Sequence, residues 1–81
     1  MSKVQHINNT KQFTAIIERE DDQYVALCPE LDIASQGNTV EEARNNLKEA
    51  LELFFENASE KEIKERLHTE IFITNLQIAV G

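Results

Sequence analysis

The sequence predicts an α+β domain in the order β-β-β-α-(short α)-β, one sheet with a helix packed on one face. Three observations carry this. A capping box at Thr39 opens a long stripe of apolar residues at helical spacing. Two short runs rich in strand formers, residues 13–19 and 24–28, flank an acidic turn. A third apolar run, residues 70–80, follows the helical region.

Residues 4–7 are compatible with a short edge strand, and Asn8-Asn9-Thr10 with a turn or loose arm. In residues 13–19, Phe13, Thr14, Ile16 and Ile17 favour extended backbone, and Phe13, Ala15 and Ile17 share a face. Glu20-Asp21-Asp22-Gln23 forms the turn, and residues 24–28 return antiparallel. Tyr24, Ala26 and Cys28 then share a face, with Val25 and Leu27 opposite. Both strands are apolar on both faces, so one face is expected on the helix and the other against a second subunit. Pro29, the single proline, lacks an amide hydrogen and belongs at a strand end. Residues 31–36 resume extended structure, and Gly37-Asn38 suits a tight turn with positive φ.

Thr39 is the expected N-cap, its hydroxyl accepting from a first-turn amide while Glu42 reaches back to the Thr39 amide. Val40, Ala43, Leu47, Ala50, Leu51, Phe54 and Ala58 form the stripe. Phe55 lies off it and either widens the buried arc or faces another subunit. Ser59 and Glu62 repeat the capping pattern, which predicts a break and a second short helix over residues 60–67. In the final run Ile71, Phe72 and Ile73 are continuous, and Leu76, Ile78 and Val80 alternate. A run this apolar is expected inside a sheet or an interface, with Thr74-Asn75 as a bulge, a turn or an exposed edge.

Eighty-one residues are expected to make one domain, and a domain this small often leans on a partner for stability. No run approaches the roughly 20 apolar residues of a membrane span, and no signal-like segment follows the N-terminus. The single cysteine, Cys28, forms no internal disulfide and suits a reducing compartment, so a cytoplasmic location is expected. Net charge is −7. Glu18, Glu20, Asp21, Asp22, Glu30 and Asp32 crowd one stretch against Arg19 alone. Such a surface is poor for nucleic acid, whose phosphates need Lys and Arg, and suited to a basic protein partner.

Catalytic patterns are missing. His6 and His68 lie at no metal-ligand spacing from Cys28 or each other, and local spacing suggests no Ser-His-Asp or Cys-His arrangement. Gly37 lacks the further glycines and the Lys-Ser/Thr of a phosphate loop. No enzyme activity, metal or cofactor is expected.

The ordered combination Cys28-Pro29-Glu30-Leu31, then Gln36-Gly37-Asn38-Thr39-Val40-Glu41-Glu42-Ala43, resembles the HicB antitoxin family. The resemblance covers residues 12–55 closely and extends through Asn46–Phe54; the remainder matches in element order only. It implies a three-stranded antiparallel meander, a helix across it and a returning strand, a partial ribonuclease-H-like domain without catalytic carboxylates. It also implies binding and occlusion of HicA, a small basic mRNA-cleaving toxin. Tyr24, Pro29, Leu31, Gly37, Thr39, Glu42 and Ala43 match as fold-setting residues. Family members often add a C-terminal DNA-binding domain, and a sequence stopping at Gly81 resembles a short form without one. Asp32-Ile33-Ala34-Ser35 also lacks the glycine-cysteine of many relatives. The six acidic residues are the candidate toxin-facing groups. The competing expectation is a solitary homo-oligomer, a dimer or larger, that binds another protein or a small ligand.

Overall fold

The computed structural model describes residues 11–81, so the strand or arm considered for residues 1–10, with His6, lies outside the described residues. Strand β1 is Ile16–Glu20, β2 is Gln23–Cys28 and β3 is Ile33–Gly37. They form one antiparallel meander in the order β1-β2-β3. Helices α1, Val40–Asn57, and α2, Glu60–Arg66, follow.

The register sorts the side chains as the alternation requires. Ile17 pairs with Ala26, and Ile16 with Leu27. Ala26, Cys28, Leu31, Ala43 and Leu47 form the buried core between sheet and helix. Ile17, Tyr24, Ile33, Leu51, Phe54, Phe55 and Leu67 pack around it, together with Phe13. Ile16, Glu18, Val25, Leu27 and Ala34 lie on the opposite sheet face, around a depression of about 200 Å³. Phe55 widens the buried arc, its ring tilted against Phe13 at a centroid distance of 5.5 Å and edge-to-face with Phe54 at 5.3 Å.

Several expectations change. β1 begins at Ile16 rather than Phe13, because the Thr14 amide donates to the Glu30 carboxylate instead of entering a ladder. β3 begins at Ile33, since Leu31 and Asp32 complete the turn after Pro29, with the Asp32 amide donating to the Cys28 carbonyl at 2.8 Å. Positive φ falls on Asp21 and Asp32, both at 56°, and not at Gly37-Asn38. Gly37 is instead a close-approach residue. A Cβ there would stand 2.6 Å from the Ala43 amide nitrogen and 2.8 Å from the Glu42 carbonyl carbon.

The next change is the largest. Residues 70–80 form no strand among the described residues. After α2 the chain runs out with Phe72 86% and Val80 87% exposed. Its root is held, the Leu67 amide donating to the Ile63 carbonyl and the His68 amide to the Glu30 carbonyl at 2.7 Å.

Both helix starts follow their capping residues. Thr39, with extended backbone, accepts from the Glu42 amide at 3.0 Å, and Ser59 from the Glu62 amide at 3.1 Å. The Glu42 carboxylate reaches the Asn38 amide rather than that of Thr39. The close packing of Gly37 on the first helical turn brings Asn38 over it. Ala58 breaks the helices as expected, its amide still donating to the Phe54 carbonyl. Residue 67 caps α2 instead of belonging to it.

Candidate protein-docking surface

The β1–β2 hairpin tip gathers four of the six candidate acidic residues. Glu18 and Glu20 end β1, and Asp21 and Asp22 form the two-residue turn that returns to Gln23. All four are exposed. Asp21 takes the left-handed conformation such a turn needs, which Asp tolerates better than most residues. Arg19 folds back beneath the tip. Its Nε donates to the Asp21 carbonyl at 3.1 Å, and its guanidinium lies 5.9 Å from the centre of the Tyr24 ring. The tip therefore presents carboxylates outward while its single cation stiffens the turn.

Glu30 and Asp32 sit at the other end of β2, about 17 Å away at about 3.4 Å per residue. Asp32 is exposed in its turn. Glu30 is committed to the fold. Its carboxylate accepts from the Thr14 amide at 3.0 and 3.1 Å, the Thr14 hydroxyl at 2.7 Å and the Cys28 thiol at 3.3 Å. Desolvation pushes the Glu30 carboxyl upward, but the bonds from Thr14 outweigh it and leave its pKa below the ordinary value. The same cluster raises the Cys28 thiol, first by burial and then through the neighbouring Glu30 carboxylate. A fully buried thiol held neutral in this way is a packing group and not a nucleophile.

The fold-setting residues occupy the places their chemistry requires. Tyr24 pairs with Gly37 at the end of the β2–β3 ladder, and Leu31 and Ala43 are in the core. Pro29 starts the turn after β2. Sequence reasoning missed Arg66. It donates to the Leu31 carbonyl at 2.9 Å and stacks over Phe54 at 5.3 Å, so it locks α2 onto the β2–β3 turn. His68 contributes its amide to Glu30 and leaves its ring exposed. Among the described residues, no three His, Cys, Asp or Glu side chains are grouped to hold a metal ion. No helix of the described residues is long and apolar enough to cross a membrane.

A second surface lies on the flank of α1. The helix rests mainly on β3 and β2 and only touches β1. An open groove of about 750 Å³ remains there, floored by Phe13, Leu51 and Phe55 and rimmed by Lys11, Lys48, Glu52 and Glu56.

A three-stranded meander backed by a capped helix, with an acidic tip and an open apolar flank, defines a small α+β domain. The chain belongs to the UPF0150 family. It is 44% identical over 57 residues to a UPF0150 protein of Thermotoga maritima, a match spanning 67% of this chain and 76% of the relative. It is 47% identical over 51 residues to a UPF0150 protein of Synechocystis, spanning 60% of this chain and 71% of that one. No family model and no solved structure matches the chain.

Proposed function

We propose that the protein is a HicB-like antitoxin that binds and occludes a small basic HicA-like ribonuclease, doing no chemistry itself. The observation that carries this reading is the exposed tip of Glu18, Glu20, Asp21 and Asp22, held in one place by a turn that Arg19 braces from below. A ribonuclease binds RNA through Lys and Arg, and those are the groups an acidic tip attracts. Occupying them both docks the antitoxin and excludes the substrate. The residue pattern Cys28–Leu31 and Gln36–Ala43 supports the same reading by its resemblance to HicB proteins. On this reading the protein works in the cytoplasm, where mRNA is, and binds no nucleic acid on its own.

A second reading is favoured by the open apolar surfaces, the depression around Ile16, Val25 and Leu27 and the groove at Phe13, Leu51 and Phe55. They suit a solitary homo-oligomer that has no toxin. The discriminating experiment is RNA cleavage by a small basic ribonuclease encoded beside this gene, with the protein added in increasing ratio. Stoichiometric inhibition is expected. Cleavage unaffected by excess protein would move the function to the second reading.

A further inference from the structure

Residues 11–15 lead into β1, and α2 with His68 leads away from the body. Among the described residues, neither segment joins the sheet, and neither buries a side chain completely. Segments of this kind ordinarily fray one by one, because little core packing holds them. Here both are fastened to Glu30. Its carboxylate accepts from the Thr14 hydroxyl at 2.7 Å, and its carbonyl from the His68 amide at 2.7 Å.

The same two segments meet a second time, through neighbouring rings near the end of α1. Phe13, next to Thr14, lies 5.5 Å from Phe55. Phe55 stands edge-to-face with Phe54 at 5.3 Å. Arg66, at the end of α2, completes the path. Its guanidinium lies 5.3 Å from the centre of the Phe54 ring and donates to the Leu31 carbonyl at 2.9 Å. The contacts therefore close on themselves: out from Glu30 along one segment, across two rings of α1, and back along the other segment to Glu30.

We propose that residues 11–15 and α2 open as one unit, latched through Glu30, while the sheet and the rest of α1 stay closed. The closed path is what makes the opening joint. Detaching His68 loosens the hold of Arg66 on Phe54, and detaching Thr14 loosens the hold of Phe13 on Phe55. Each loss removes a support from the other side. Ala26, Cys28, Leu31, Ala43 and Leu47 stay packed throughout, since the buried core includes no residue of either segment. The open form draws Phe13 off the α1 groove, leaving Leu51 and Phe55 bare, and frees the chain beyond His68 in the same event.

Native-state hydrogen exchange on the full chain, read residue by residue, tests the latch. The reporters are the amides of Thr14, Leu67 and His68, with those of the central strand β2 as the body control. Two variants break the path on opposite sides. Thr14→Val keeps the branched shape and the backbone amide but loses the hydroxyl donor to Glu30. Arg66→Met keeps an unbranched chain but loses the guanidinium. Either one should speed all three reporters by a common factor of about two-fold or more, the size of one hydrogen bond, and leave β2 protected. Speeding confined to the segment that carries the substitution would mean two independently fraying segments, and overturns the latch. Speeding of β2 in step with the reporters would mean that the domain opens only as a whole, and overturns it equally.

Discussion

The Glu30 carboxylate takes both the amide and the hydroxyl of Thr14, sixteen positions earlier, at 3.0 and 2.7 Å. The contact ties the segment entering β1 to the turn leaving β2. The Glu30 carbonyl meanwhile receives the His68 amide, so three distant parts of the chain converge on one residue.

That convergence predicts an acid-sensitive joint. The folded-state pKa of Glu30 lies below its ordinary value. The ionised form therefore contributes stability that is present above the unfolded pKa and is lost as pH falls through the folded one. Denaturation midpoints measured from pH 7 down to pH 3 should decline. Glu30→Gln should lower the midpoint at pH 7 and flatten the decline. A variant whose acid limb runs parallel to wild type would place the acid sensitivity in other carboxylates.

Gly37→Ala should destabilise the protein by about 1–3 kcal/mol through overpacking. The added methyl meets backbone atoms of Glu42 and Ala43, which cannot swing aside as a long side chain would. Because Gly37 does not use positive φ, the penalty comes from contact and not from backbone conformation. Urea denaturation gives the difference directly, and a neutral substitution would mean the strand–helix junction relaxes freely.

Thr39→Ala should cost about 0.5–2 kcal/mol, because the Glu42 amide loses its side-chain acceptor. The Glu42 carboxylate stays on Asn38, so the helix should still start at Val40. Chemical denaturation with hydrogen exchange on Glu42 reads both effects. Unchanged stability would remove Thr39 from the capping role.

Local chemistry was legible, and long-range pairing was not. Thr39 and Ser59 announce their helices because a cap and its amide lie within one turn. The β1–β2 hairpin is similarly local, set by Asp21-Asp22 between two strand-forming runs. Glu30 looked like one more surface charge because its partner Thr14 is remote in sequence. The helical stripe named Ala43 and Leu47 correctly as inward-facing, yet Val40 at its start is 49% exposed, since the sheet ends beneath the first turn. For residues 70–80 the alternation read as a strand, but periodicity does not state which edge receives it. The six acidic residues formed a cluster only along the sequence; a strand of six residues carries Glu30 and Asp32 away from the tip.

The split makes the electrostatic reading of the tip sharper, because the two ends of β2 can be altered separately. Reversing Asp21 and Asp22 to Lys changes the local charge by four at exposed turn positions. Lys fits the left-handed conformation of Asp21 less readily than Asp, so the fold of the variant is checked by circular dichroism. If the tip steers a basic ribonuclease, association should slow by about ten-fold or more at low ionic strength. The difference should shrink toward 0.15 M salt, where screening sets in over about 8 Å. Asp32→Lys, at the far end, should leave the rate nearly unchanged. Stopped-flow association at several salt concentrations compares all three proteins. Equal rates for wild type and the tip variant at low salt would reduce the tip to a solubilising turn. A slowing by Asp32→Lys alone would move the docking face to the β2–β3 end, beside the anchor of His68.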